Sequence, residues 1–195
     1  GVNAHIRAQA ERFAASGFEV LAPAFLDRVQ KGVELGYDQQ SIATARPLVA
    51  QLGFDRPLLD VQAAVARLAS ASRKVFIVGY CWGGSLSYLA AARVPGLSAA
   101  VGYYGGAISR FADESPRVPT LLHCGENDAS IPLGDVEALR EKQPGVEIHV
   151  YPAGHGFNCD QRASYDAPSA ALGRQRTLEF FAHHVAAEKP KGPIA

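Results

Sequence analysis

The chain has 195 residues, 48% of them hydrophobic, which suits one domain with a continuous core. Its 19 basic and 19 acidic residues balance, so the composition does not indicate nucleic acid or an anionic membrane as a partner, and we expect neither. We expect a cytoplasmic protein, because the three cysteines form no disulfide framework and neither a signal peptide nor an apolar run of about 18 residues is present.

The first third of the chain predicts a helix, a short strand and an irregular stretch. Asn3 is placed to cap the helix and Gly17 to end it. Residues 18–21 are mostly apolar and predict a strand. Residues 24–56 are the least regular part, with one predicted helix at residues 39–52. A loop-rich excursion of this length usually covers a site or lines a pocket.

The rest of the chain alternates strands with helices. The predicted strands cover residues 74–79, 99–104, 119–124 and 146–151. The predicted helices begin at Pro57, Trp82, Pro132 and Pro168. This alternation indicates an α/β fold, with a mostly parallel sheet that carries helices on both faces.

Two expectations concern the C-terminal region. The last predicted helix, residues 168–187, is expected to turn four apolar residues toward the core: Leu172, Leu178, Phe181 and Val185. Residues 189–195 are rich in lysine, proline and glycine and predict a flexible tail. We therefore expect a single domain over residues 1–188.

A cysteine between glycines stands at one junction of strand and helix. Cys81 lies in the segment Gly-Tyr-Cys-Trp-Gly of residues 79–83. This is the cysteine form of the G-x-S-x-G nucleophile elbow, a sharp turn that raises the side chain above the sheet. The backbone N–H of Trp82 would then face an oxyanion formed beside Cys81. The N-terminus of the following helix would also favour a thiolate.

An acid and a histidine follow two further predicted strands. Asp128 lies in the turn after residues 119–124, and His155 lies in a glycine-flanked loop after residues 146–151. Because the carboxyl ends of parallel strands share one edge of the sheet, these groups could converge with Cys81. We predict that Cys81 attacks a carbonyl, that His155 takes the thiol proton, and that Asp128 orients the imidazole.

These segments together resemble the dienelactone hydrolases (carboxymethylenebutenolidases), which are α/β-hydrolases with a cysteine nucleophile. The resemblance covers essentially the whole chain. It rests on GVN at residues 1–3, GF at 17–18, LAP at 21–23, GYCWGG at 79–84, VGYYG at 101–105, HCGEND at 123–128 and YPAGHGF at 151–157. It implies the α/β-hydrolase fold and a triad of Cys81, Asp128 and His155 that opens an ester or lactone through a thioester.

The resemblance also implies groups upstream of Gly1. In the family, a Glu-Ile-Phe-type segment directly precedes the Gly-Val-Asn found here at residues 1–3. Its glutamate activates the cysteine, and a backbone N–H beside it completes the oxyanion hole. We expect the leading strands of the sheet upstream of Gly1, whereas a glutamate three positions before Gly1 would favour an enzyme and its absence a binding protein.

The chain departs from the family at the two arginines that hold the carboxylate of the substrate. Ile42 and Cys159 stand at the corresponding positions, while Arg46 and Arg162 lie nearby. The resemblance therefore supports a hydrolase, and it leaves the substrate-binding residues and the natural substrate unassigned.

Other conspicuous residues have simpler interpretations. Cys124 is expected in the core, whereas Cys159 is a loop residue, a pocket residue or a metal ligand with His155. Tyr103 and Tyr104 are expected to pack within the sheet, with one of them a candidate for lining the pocket. Three residues are expected at the surface or as satisfied polar groups: Glu126, His183 and His184.

Two functions remain open at this point. The favoured one is a thiol hydrolase of small esters or lactones, with no cofactor and no metal. The alternative is a non-catalytic or impaired α/β-hydrolase-like protein that binds a small molecule. The single residues also have structural readings, with Cys81 as a core residue, Asp128 as a turn residue and His155 as a structural loop residue. The oligomeric state is left open.

Overall fold

The computed structural model describes residues 1–69 and 74–186 of the chain. The helices are α1 (Ala4–Ala14), α2 (Gln39–Leu52), α3 (Asp55–Ala69), α4 (Trp82–Arg93), α5 (Leu133–Lys142) and α6 (Ala167–Ala186). The strands are β1 (Phe76–Tyr80), β2 (Ala99–Tyr103), β3 (Thr120–Gly125) and β4 (Val146–Tyr151). Short 3-10 helices lie at Phe25–Arg28 and Ile108–Phe111. The predicted tail at residues 189–195 and the predicted domain end at residue 188 lie outside the described residues.

The four described strands form one parallel sheet in the order β1-β2-β3-β4. Every residue of β2 and β3 is buried, as expected for inner strands of a sheet that is covered on both faces. All four carboxyl ends therefore lie along one edge of the sheet, where the predicted site residues follow β1, β3 and β4. The predicted α/β fold with a parallel sheet is confirmed.

Successive residues of β1 show that helices cover both faces of the sheet. Ile77 packs into the apolar cluster that α3 and α4 build on one face. Phe76 belongs to the cluster on the other face, where its ring stacks on Phe181 of α6 at 4.6 Å between centroids. Since neighbouring residues of a strand point to opposite faces, two separate cores result.

The first helix begins and ends as the sequence predicts. Asn3 is the N-cap of α1, and its Oδ1 accepts a hydrogen bond from the backbone N–H of Ile6 at 3.1 Å. Gly17 follows the helix with φ of +92°, a conformation that favours glycine. The predicted helix at residues 39–52 is also confirmed as α2.

The predicted strand at residues 18–21 is wrong, because these residues have no regular secondary structure. Phe18 packs its ring against Phe76 and Phe181. Residues 18–21 lie on the wall of a cleft that also runs along β1. Among the described strands, β1 pairs with β2 alone. Side-chain packing is therefore present without a ladder partner. The expectation of leading strands upstream of Gly1 stays a prediction.

The predicted core face of the last helix is partly wrong. Phe181 is buried and Leu178 is half-buried, but Leu172 is 40% exposed and Val185 is 52% exposed. The buried side of α6 instead includes small and polar residues: Ser169, Ala170, Gly173 and Thr177. The pattern of apolar residues did not identify this side of the helix, because Thr177 is polar and is buried through its hydrogen bonds within the core.

Among residues 1–69 and 74–186, no helix is both long enough and apolar enough to cross a membrane.

Candidate active site

Cys81 lies between β1 and α4 in a strained backbone conformation. Its φ is +55° and its ψ is −117°, which non-glycine residues rarely adopt. Hydrogen bonds on both sides hold the turn, because Cys81 N–H donates to the Tyr103 carbonyl at 2.9 Å and Cys81 C=O accepts from Gly84 N–H at 2.9 Å. The predicted nucleophile elbow is therefore present at Cys81.

The close approach of strand and helix at the elbow depends on two glycines. A Cβ atom at Gly79 would overlap the carbonyl oxygen of Gly83, and one at Gly84 would lie 2.5 Å from the carbonyl oxygen of Tyr103. A Cβ atom at Gly83 would meet nothing within 4 Å. The lack of space thus requires glycine at positions 79 and 84, whereas position 83 has room for a side chain.

Cys81, His155 and Asp128 form one continuous hydrogen-bonded chain. His155 Nε2 lies 3.1 Å from Cys81 Sγ, and His155 Nδ1 lies 2.8 Å from Asp128 Oδ2. With Nδ1–H donating to the carboxylate, Nε2 is the atom that exchanges a proton with the thiol. The structure brings together all three residues that the sequence predicted for the site.

Asp128 is held by its own turn. Its side chain has no exposed surface, and its second carboxylate oxygen accepts the backbone N–H of Ser130 at 2.8 Å. Its backbone carbonyl accepts the N–H of Ile131 at 3.1 Å. A carboxylate fixed in this way keeps the imidazole of His155 in one tautomer and one orientation.

The surroundings of Cys81 favour its thiolate. Burial alone would raise the pKa of this thiol, but the hydrogen bond and charge of His155, the backbone N–H of Trp82 and the charge of Arg162 together lower it. Burial likewise opposes a charge on His155, and the pairing with Cys81 and Asp128 raises its pKa. Both shifts favour a thiolate–imidazolium pair.

Tyr104 is a second strained residue at the same edge of the sheet. It has φ of +39°, and its N–H donates to the His123 carbonyl at 2.7 Å. Its buried ring lies 5.2 Å from the ring of His155 and 5.3 Å from that of Phe157. Tyr104 therefore packs against His155. Its residue type gave no indication that the backbone is strained at this position. Tyr103 is buried in the core, as predicted.

The site opens into a cleft of about 1350 Å³. Cys81, Trp82 and His155 lie on its wall, together with residues from the irregular first third of the chain. Those residues include Tyr37, Ile42 and Arg46, and Arg162 joins them from the loop after His155. Arg46 follows Ile42 by one turn of α2, so both face the cleft. Sequence reasoning noted both arginines but could not place them at the site.

The other two cysteines are not at the site. Cys124 is buried in the core, as predicted, and burial raises its pKa to about 12. Cys159 is also buried, and burial raises its pKa as well. It lies beside His5 and Asp160, whose ligand atoms and its own lie within 4.8 Å of one another.

Among the described residues, these three groups lie close enough together to hold a metal ion. Burial lowers the pKa of His5, the hydrogen bond and charge of Asp160 raise it, and the charges of Arg12 and Arg162 lower it. The candidate ligands beside Cys159 are thus His5 and Asp160, and not the His155 of the alternative considered from the sequence. The absence of a metal stays a prediction. Glu126 and His183 are exposed, as expected.

A cysteine on a strand-to-helix elbow, with a histidine and an aspartate from the loops after two later parallel strands, defines an α/β-hydrolase. Residues 1–185 match the family model described as the dienelactone hydrolase family. The chain belongs to this family, and it is a hydrolase of the kind that acts on carboxylic esters and lactones.

Relatives and solved structures agree with this assignment. The chain is 32% identical to the carboxymethylenebutenolidase of Pseudomonas putida, over 93% of this chain and 81% of that protein. It is 36% identical to a Synechocystis protein named "Putative carboxymethylenebutenolidase", over the same shares. The crystal structure of a Klebsiella pneumoniae protein named "Putative Dienelactone Hydrolase" matches with a TM-score of 0.81 and 33% identity, covering 93% of this chain and 82% of that one.

Proposed function

We propose that the protein hydrolyses small esters or lactones through a triad of Cys81, His155 and Asp128 and a thioester intermediate. The observation that carries this proposal is the hydrogen-bonded chain from Cys81 Sγ to His155 at 3.1 Å and on to Asp128 at 2.8 Å. The same three hydrogen-bonded residues argue against the alternative of a non-catalytic binding protein, which needs neither a strained cysteine nor an oriented histidine.

In the first half of the reaction, the Cys81 thiolate attacks the carbonyl carbon of the ester. The carbonyl oxygen becomes an oxyanion, and the backbone N–H of Trp82 faces it as one donor. His155 then gives its Nε2 proton to the departing alkoxide, which leaves as an alcohol. The product is a thioester on Cys81 and a neutral His155.

In the second half, His155 accepts a proton from a water molecule that attacks the thioester. The tetrahedral intermediate collapses, the carboxylic acid leaves, and the sulfur departs as a thiolate. The imidazolium beside it restores the starting ion pair. Asp128 neither gains nor loses a proton, and its carboxylate stabilises the imidazolium in both halves of the reaction.

The experiment uses p-nitrophenyl acetate as an ester probe. It measures the release of p-nitrophenol and the acetylation of the protein. We expect Cys81→Ala and His155→Ala each to reduce kcat by about 10³-fold or more, because the triad members act as a unit. Cys124→Ala, which removes a buried core thiol, is the matched control for loss of a cysteine and should keep the site intact.

The thioester itself is tested by rapid acid quench and peptide mapping. We expect an acetyl group on the peptide that contains Cys81 in the wild-type protein and none in Cys81→Ala. Activity retained in Cys81→Ala, or an acyl group found on another residue, would contradict the proposal.

A further inference from the structure

Arg162 reaches the site by crossing the backbone beside His155. A Cβ atom on Gly156 would lie 2.6 Å from Arg162 Cδ and 3.2 Å from Arg162 Nη1. Gly156 has φ of +81°, so glycine is favoured there twice, by conformation and by space. The arginine side chain thus runs directly over the residue that follows His155.

The ring of Tyr37 holds the guanidinium from the other side. The central guanidinium carbon of Arg162 lies 4.9 Å from the Tyr37 ring centroid, within the range of a cation–π contact. The Tyr37 ring also packs edge-on against the ring of His5, with 5.7 Å between the centroids. Arg162 is therefore clamped between Tyr37 and Gly156 while it lines the cleft with Cys81.

The carboxylates near Arg162 are paired with other groups. Asp160 lies 3.2 Å from His5 and 3.3 Å from Arg12, and Asp128 is paired with His155. Among residues 1–69 and 74–186, no carboxylate forms an ion pair with Arg162. Within the described part of the chain, this half-buried guanidinium on the wall of the cleft therefore has no carboxylate as a fixed partner.

The charge of Arg162 acts on five titratable groups around it. His5 has a lowered pKa, because burial disfavours its charged form. Tyr37, Tyr104 and Cys159 have raised pKa values, with burial as the main cause, so they stay uncharged near neutral pH. Cys81 is the acidic group of this set that is shifted toward its anion.

We propose that Arg162 is a positioning residue of the reaction, whose guanidinium, clamped between Tyr37 and Gly156, provides the permanent positive charge that stabilises the Cys81 thiolate. His155 supplies a positive charge only while it holds its proton, whereas a guanidinium keeps its charge across the whole working range. Arg162 therefore stabilises the thiolate before it attacks and again when the sulfur departs, and it does so also at pH values at which His155 has lost its proton.

This inference rests on the proposed role of Cys81, and its test measures the sulfur rather than the hydrolysis. The rate at which iodoacetamide alkylates Cys81 is followed against pH by peptide mapping, because this rate reports the thiolate fraction. In Arg162→Gln we expect the rate below the wild-type midpoint to fall about 3- to 10-fold, as the midpoint moves to higher pH. Arg162→Lys, which keeps the charge, should retain most of the rate.

Two further variants separate the clamp from general charge effects. Tyr37→Leu removes the ring under the guanidinium and should shift the midpoint in the same direction, whereas Tyr37→Phe keeps the ring and should shift it less. Arg110→Gln removes an exposed guanidinium of the 3-10 helix Ile108–Phe111 and is the control for net charge. It should titrate as the wild type does.

An unmoved alkylation midpoint in Arg162→Gln, in a variant whose circular dichroism matches the wild type, would overturn the inference. So would a rise in KM for an uncharged ester with no change in the midpoint, because that pattern assigns Arg162 to substrate binding alone. If the protein hydrolysed no ester but the midpoint moved as expected, the proposed function would fail and the charge effect would stand.

Discussion

The three cysteines differ in backbone conformation and in accessibility, and these differences determine how reactive each thiol is. Cys81 lies at a strained turn on the wall of the cleft, within 3.1 Å of a histidine nitrogen. Cys124 and Cys159 are buried, and burial raises the pKa of both thiols. Thiolate is the reactive form, so one of the three is set apart by electrostatics as well as by access.

We therefore expect iodoacetamide, added in less than molar equivalence near neutral pH, to modify Cys81 before the other two. Esterase activity should fall in step with that modification. Peptide mapping at a series of times measures both quantities in one sample. Loss of activity while Cys81 is still unmodified would show that the reactive group is elsewhere.

Among the elements, the prediction from sequence succeeded wherever a local pattern decides the outcome. The elbow at Cys81 and the positions of Asp128 and His155 after β3 and β4 could be predicted, because short motifs follow strands of clear apolar character. The strand predicted at residues 18–21 failed, since a strand also needs a partner backbone, which a local pattern does not report.

The environment of Arg162 could not be predicted for a related reason. Its clamp joins Tyr37 and Gly156, which are far apart in the chain and carry no shared motif. The irregular stretch at residues 24–56 was expected to line a pocket, and Tyr37 and Arg46 do so. Which of its side chains would meet the loop after His155 depends on tertiary packing alone.

The contact between β1 and α4 gives a prediction with a matched pair of glycines. Gly79→Ala places a methyl group on the carbonyl oxygen of Gly83, so the helix must move away from the strand. We expect this variant to lose about 3 kcal/mol or more of the free energy of unfolding, or to fail to fold. Gly83→Ala meets open space and should stay within about 1 kcal/mol of the wild type. Urea denaturation measures both, and equal effects would contradict this account of the elbow.

Across the whole molecule, a buried polar network ties three strands to the last helix. The hydroxyl of Thr177 donates to the Gly173 carbonyl at 2.9 Å, so it accepts from Tyr103 O–H at 2.7 Å and from His123 Nε2–H at 3.0 Å. His123 Nδ1 is then the acceptor for the Tyr151 hydroxyl at 2.7 Å. The network thus holds His123 as the neutral Nε2–H tautomer inside the core.

This neutral histidine makes the stability of the fold depend on pH. Burial, with smaller contributions from the charges of His149 and Arg176, lowers the pKa of His123 to about 3. In the unfolded chain the same group takes up its proton near pH 6.5. The unfolded state therefore binds more protons between these values, and the contribution of His123 to stability is complete above about pH 6.5 and is lost as the pH falls.

We expect the wild-type free energy of unfolding to include a loss of about 1.4 kcal/mol from His123 between about pH 7.5 and pH 5.5. His123→Gln keeps one donor and one acceptor at this position. It should be less stable than the wild type near neutral pH. Because glutamine takes up no proton, it should lose less stability than the wild type over this interval. His183→Gln changes an exposed histidine and should follow the wild type. The other histidines are present in both the wild type and His123→Gln, so the difference between their slopes reports His123 together with its coupling to the neighbouring His149. Urea denaturation at both pH values provides the measurement, and equal slopes for His123→Gln and the wild type would show that protonation of this residue does not couple to folding.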